Sequence, residues 1–108
     1  MSRRTEQVGE LLTREINQIL LRYFEPPLGC LITISKTEAT PDLKQAKVFV
    51  SVLPEKMTGT ALSALRKQTG HVQHLLNNRL HMRNIPKIDW VFDDTHLKIA
   101  RVEEALKQ

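Results

Sequence analysis

Two alternating stretches that lie close together, followed by a long helical segment and a third alternating stretch, constrain the fold of this chain most. In residues 45–53, Ala46, Val48, Val50 and Val52 share one face of a predicted strand. About 30 residues with helical periodicity then lead to the third stretch, and a connection of that length suits a right-handed crossover. The sequence therefore predicts that the second and third strands pair in parallel.

The first predicted strand, residues 31–38, ends only a few residues before the second begins. Its side chains alternate through Ile32 and Ile34, and β-branched residues are frequent in it. Pro41 and Asp42 lie between the two strands. Proline presets φ, and an aspartate side chain readily bonds the backbone two residues further on. These features predict an antiparallel hairpin.

Helical segments accompany the strands. Between Arg4 and Tyr23 apolar residues recur with a 3.6-residue period, and Pro26 and Pro27 end the helix. The apolar stripe comprises Val8, Leu11, Leu12, Ile16, Ile19, Leu20 and Tyr23. Two further helical pieces meet at residues 69–70, where glycine lowers helix propensity by roughly 1 kcal/mol relative to alanine. We expect a bend there.

The ends of the remaining elements carry their own signals. Caps are predicted at Thr58 or Thr60 for the second helix, and at Asp94 or Thr95 for a short final helix over about residues 95–107.

The third strand follows Pro86 and alternates as Ile88, Trp90 and Phe92. Trp90 shares the inward parity of its neighbours, which favours the core over a base-stacking platform. Phe49 is predicted either to pack against the first helix or to lie on the open sheet face.

Together these elements predict an α+β fold with the order helix-strand-strand-helix-kink-helix-strand and a mixed three-stranded sheet covered by helices on one face. The chain, residues 1–108, is long enough for one domain. No apolar run reaches the roughly 20 residues of a membrane span. The single cysteine, Cys30, excludes an internal disulfide and suits a reducing compartment, so we expect a cytoplasmic protein. We also expect a monomer.

Residues 56–88 contain no Asp or Glu although the whole chain has 12. The cations in this stretch are Lys56, Arg66, Lys67, Arg79, Arg83 and Lys87, together with His71, His74 and His81. Clustered, uncancelled cations are typical of a surface that meets a polyanion, because each phosphate contact releases condensed counterions. A solvated helix face, a membrane surface and an acidic protein are the alternatives.

Catalytic and metal sites find little support in the sequence. His71 and His74 are spaced i, i+3 on a helix, but no acid or cysteine nearby completes a set of four ligands. Cys30 has no local nucleophile signature, and a lone cysteine at a strand start is usually a small buried hydrophobe. We therefore predict a non-enzymatic protein with no metal and no cofactor.

Several blocks of sequence resemble the ribosome-binding factor A family, and the resemblance spans nearly the whole chain. They are Val8-Gly9-Glu10-Leu11, Glu15-Ile16, Pro27-Leu28-Gly29, the run from Pro41 to Val52, the run from Leu80 to Ile88, and Phe92-x-Asp94. The resemblance implies a type II K-homology-like fold. It also implies a factor that binds the free small ribosomal subunit late in assembly, near the 5′ end of its 16S rRNA, and assists the processing of that RNA.

Ordinary K-homology domains clamp nucleotides with a Gly-x-x-Gly loop, which this sequence lacks. The resemblance implies instead a helical kink of the form Ala-x-Gly, which here reads Gln68-Thr69-Gly70, and where the family tends to place an Arg this chain has Gln73. The candidate RNA-binding residues are Arg66, Lys67, Gly70, His71, His74, Arg79, Arg83 and Lys87. The cations would neutralise phosphates, and Gly70 would set the helix angle and permit close approach of the backbone. The rival interpretation is a basic face that binds an acidic protein.

Overall fold

The protein combines a three-stranded sheet with helices, and the computed structural model describes residues 3–95. The elements, in chain order, are α1 (Arg3–Tyr23), β1 (Leu31–Ala39), β2 (Gln45–Leu53), a 3₁₀ turn (Glu55–Met57), α2 (Thr58–Lys67), α3 (Thr69–Arg79) and β3 (Lys87–Phe92). The predicted α+β class and element order are confirmed. The final helix predicted over about residues 95–107 lies outside the described residues.

The strands are arranged in the order β1-β2-β3. β1 and β2 are antiparallel, with a register shift between Ile34 and Lys36 where Ser35 forms a bulge. β2 and β3 are parallel, from the pair Gln45–Lys87 to the pair Val50–Phe92. Both predicted pairings are therefore confirmed, including the helical crossover through α2 and α3.

The core lies between one face of the sheet and the helices. Its members are the inward side chains of β2, the stripe of α1 and a few residues of the other elements: Ala46, Val48, Val50, Val52, Val8, Leu12, Ile16, Ile19, Leu20, Ile34, Ala39, Ala61, Leu65, Val72, Leu76 and Trp90. Two members of the predicted α1 stripe are not part of this buried core. Leu11 is half-buried, and Tyr23, the last residue of α1, is exposed because the helix ends there.

Phe49 lies on the sheet face opposite the helices. It is half-buried, and Lys36 Nζ lies 4.6 Å from the centre of its ring. A cation over an aromatic face is attracted by the ring quadrupole. Of the two placements predicted for Phe49, the open sheet face is therefore the observed one.

Both edges of the sheet are covered by an amide side chain from a helix. At β1, Asn17 Nδ2 donates to the Ile34 carbonyl at 3.1 Å, and the Ile34 amide donates to Asn17 Oδ1 at 2.9 Å. At β3, Gln73 Nε2 donates to the Pro86 carbonyl at 3.1 Å, and the Ile88 amide donates to Gln73 Oε1 at 2.9 Å. Each amide thus satisfies edge groups that would otherwise pair with another strand.

The predicted caps of α2 are wrong. Met57 precedes the helix and no side chain caps it, while Thr58 is its first residue and Thr60 lies within it. Thr58 Oγ1 instead donates to the Glu55 carbonyl at 2.6 Å. The 3₁₀ turn runs directly into α2, so backbone carbonyls satisfy amides that a side-chain cap would otherwise bind.

Candidate nucleic-acid interface

The two crossover helices are separated by one residue, Gln68. Its φ of −99° and ψ of 3° depart from helical geometry, and α3 begins at the next residue. The predicted bend is therefore present, but it lies at Gln68 rather than at residues 69–70. Gly70 has the lowest helix propensity in this segment, but the break falls two residues earlier, next to Thr69.

Thr69 fastens the bend to the sheet. Its hydroxyl accepts a hydrogen bond from Trp90 Nε1 at 2.8 Å and donates to the Leu65 carbonyl at 3.0 Å. Trp90 is 4% exposed, so its ring belongs to the core, as predicted, and is not available to stack on a base. One buried indole thus joins β3, α2 and α3 at the bend.

Gly70 lies in the first turn of α3 and is exposed. It is not among the positive-φ residues, and a Cβ built on it would meet no atom within 4 Å. The expectation that Gly70 sets the helix angle is therefore wrong, because the fold tolerates a side chain there. Close approach of a partner to the bare backbone stays a prediction.

Four cationic or titratable side chains surround the bend. Arg66 and Lys67 end α2, His71 and His74 follow on α3, and all four are exposed. Neither Arg66 nor Lys67 forms an ion pair within residues 3–95. We call these four residues and Gly70 the kink surface. Its positive charge is uncompensated by the described part of the chain.

Arg79 has a different environment. Its Nε lies 2.8 Å from Glu15 Oε2, and its guanidinium also donates to Gln18 Oε1 at 2.6 Å. The side chains of Arg79 and Glu15 are only 28% and 17% exposed. We therefore revise the role of Arg79 from a phosphate contact to a link between α3 and α1, because its charge is already neutralised.

Arg83 and Lys87 follow α3 in the chain. Arg83 is exposed in the loop before β3, and Lys87 is the exposed first residue of that strand. Lys87 lies beside the middle of α3, because Gln73 binds the backbone of both its neighbours, Pro86 and Ile88. The exposed cations of the acid-free run therefore lie at several places: Lys56 in the 3₁₀ turn, the kink surface, Arg83 in the loop and Lys87 at the start of β3.

The structure also explains one departure from the family pattern and adds one residue. Gln73 is held by the backbone of β3, so an amide at this position serves the fold. Arg4 of α1 lines a cavity together with Arg83, a proximity that no pattern in the sequence indicates.

No group of three or more metal-ligating side chains lies among residues 3–95. Within the same range, no helix has the length and apolar character needed to cross a membrane.

Comparison with known proteins identifies the family. The family model described as ribosome-binding factor A matches residues 4–106. The ribosome-binding factor A of Nitrosococcus oceani is 39% identical over 93 residues, which cover 85% of this chain and 73% of that protein. The chain belongs to the ribosome-binding factor A family.

Solved structures of ribosome-binding factor A share the fold. The crystal structure of the Thermus thermophilus protein matches with a TM-score of 0.70 at 22% identity, over 81% of this chain and 93% of that one. A homology model of the Thermus thermophilus protein, fitted into a cryo-EM map of a 30S complex, matches with a TM-score of 0.67 at 21% identity, over 82% and 94%. These likenesses confirm the predicted fold class.

Proposed function

We propose that this protein binds the free small ribosomal subunit and contacts its 16S rRNA through the kink surface. The observation that carries the proposal is the exposed pair Arg66 and Lys67, free of ion pairs within residues 3–95, beside the bare backbone of Gly70. Membership of the family supports it, as does the Thermus thermophilus homologue placed in a 30S complex. Lys87 and Arg83, which follow α3 in the chain, would provide further contacts.

The chemistry of the kink surface suits an RNA backbone. Lysine and arginine gain affinity for phosphates by releasing counterions, and this gain does not depend on sequence. His71 and His74 add ring N–H donors. Gly70 has no side chain, so an RNA strand can approach the helix backbone closely there. The hydrogen bond between Thr69 and Trp90 holds the bend in place before binding, which limits the entropy lost on association.

We further propose that binding assists late maturation of the subunit and processing of the 5′ end of its rRNA, in the cytoplasm, without catalysis by the protein. Cys30 illustrates why binding is favoured over catalysis. Burial raises the pKa of its thiol, which disfavours the nucleophilic thiolate. The effect on RNA processing would then come from the conformation that the bound subunit adopts.

The proposal is tested by cosedimentation and site-specific crosslinking. The tagged protein is expressed in cells with a photoreactive residue at position 71, and ribosomal particles are separated on a gradient. We expect cosedimentation with free small subunits and crosslinks from position 71 to 16S rRNA. The matched control carries the same residue at exposed Lys47, which lies on β2 and on the opposite sheet face.

Two results would contradict the proposal. Equal RNA crosslinking from positions 71 and 47 would show that the kink surface is not the contact. Crosslinking from position 71 to an acidic protein, undiminished by added free 16S rRNA, would favour the rival interpretation of a protein-binding face.

A further inference from the structure

A cavity of about 540 Å³ lies where three separate parts of the chain meet. Arg4 comes from the first turn of α1, Asp42 from the turn between β1 and β2, and His81, Arg83 and Asn84 from the loop between α3 and β3. Its volume lies within the range of pockets that hold small ligands. None of its lining residues belongs to the kink surface.

The two arginines of this cavity have no anion of their own. Neither Arg4 nor Arg83 forms an ion pair with any residue in the described range 3–95. Asp42, the acid among the lining residues, stays ionised, so the two arginines exceed it by one positive charge; its carboxylate accepts from Thr40 Oγ1 at 2.6 Å and from the Lys44 amide at 3.1 Å. These bonds hold the pKa of Asp42 below its ordinary value, with the Thr40 hydroxyl as the largest cause.

The loop that carries Arg83 is anchored at both ends. At its start, Arg79 binds Glu15 and so fixes the end of α3 on α1. At its end, the Pro86 carbonyl accepts from Gln73, and the Lys87 amide donates to the Lys44 carbonyl at 3.0 Å. The cavity is therefore largely formed before any ligand enters, and two guanidinium groups in such a setting suit the oxygens of a phosphate.

We propose that this cavity binds a phosphate group of the rRNA backbone between Arg4 and Arg83, as a second anchor distinct from the kink surface. The inference rests on the proposed function for the identity of the polyanion. An imidazole N–H of His81 and the side-chain amide of Asn84 can also donate at the same site. A second anchor, on the loop that follows α3, would fix the direction in which RNA crosses the protein.

The test is the salt dependence of binding to purified free small subunits. The full chain, the double variant Arg4→Gln/Arg83→Gln and the matched control Arg14→Gln/Arg22→Gln are compared, since both variants lose two positive charges and each changes α1. Loss of one phosphate contact should reduce the slope of log K against log salt by about 0.7–0.9. We expect this reduction, with roughly tenfold weaker binding, only in the cavity variant. Thermal unfolding of each variant confirms that it is folded.

Other outcomes would overturn the inference. An equal change in both double variants would indicate a net-charge effect, and an unchanged slope in the cavity variant would exclude a phosphate contact there. If the cavity variant bound subunits as the unaltered protein does but was no longer retained on anionic phospholipid vesicles, the cavity would be assigned to a membrane headgroup instead. If the unaltered protein fails to bind subunits at all, the proposed function itself fails, which is a separate result.

Discussion

Replacement of Arg79 distinguishes a structural link from an RNA contact. Its guanidinium joins α3 to Glu15 and Gln18 of α1. Hydrogen bonds to charged groups contribute about 1.5–3 kcal/mol, and partial exposure reduces that contribution because water replaces the lost partner. We therefore expect Arg79→Met to lower the free energy of unfolding by about 2 kcal/mol, with a fall in Tm of roughly 8 °C for a domain of this size.

The assay is denaturant unfolding together with affinity for free small subunits. Glu15→Gln is the partner variant, and the double variant closes a cycle in which we expect a coupling energy of roughly 1 kcal/mol. Affinity should stay within about twofold of that of the unaltered protein when the variants are folded. If Arg79→Met left stability unchanged but weakened binding tenfold, the structural role of Arg79 would be refuted, and its interpretation as a phosphate contact would be favoured again.

Three further perturbations test other parts of the account. Gly70→Leu should raise the free energy of unfolding by up to about 1 kcal/mol while weakening subunit binding, and unchanged affinity would remove close approach from the proposal. Gln73→Ala should cost about 1–2 kcal/mol, measured by urea unfolding, because two edge groups of β3 lose their partner; a neutral result would contradict the edge role. A hydrogen bond from Ser35 lowers the pKa of Asp93 to about 2 from its ordinary 3.8, so this carboxylate stabilises the fold above about pH 4 and progressively less towards pH 2. Ser35→Ala should flatten the acid unfolding curve in that window, and an identical curve would exclude the linkage.

The sheet can be predicted from the sequence because one of its faces is buried. Alternation in β2 fixes which side chains point inward, and a one-residue slip would expose Val48 and Val50. The length of the crossover then selects parallel pairing with β3. The family resemblance leads to the same fold by an independent route, through motifs in the first helix, the hairpin and the entry to β3.

The candidate site is harder to predict because its details depend on contacts between distant parts of the chain. The bend lies at Gln68, next to Thr69, and the bond of Thr69 to Trp90 joins residues 21 apart in sequence, which propensity alone cannot indicate. The sequence pattern groups Arg79 with the free cations because its partner Glu15 lies 64 residues away in sequence. A count of local charge therefore identifies the basic segment but cannot separate its exposed cations from the one held in an ion pair.

The central claim is that the kink surface binds the small ribosomal subunit, and one equilibrium measurement tests it most directly. The affinity of Arg66→Glu/Lys67→Glu for purified free small subunits is compared with that of Arg14→Glu/Arg22→Glu, which carries the same change in net charge on exposed positions of α1. We predict at least about tenfold weaker binding for the kink variant relative to this control, with the Tm of the kink variant unchanged. Equal affinities for the two variants would contradict the claim.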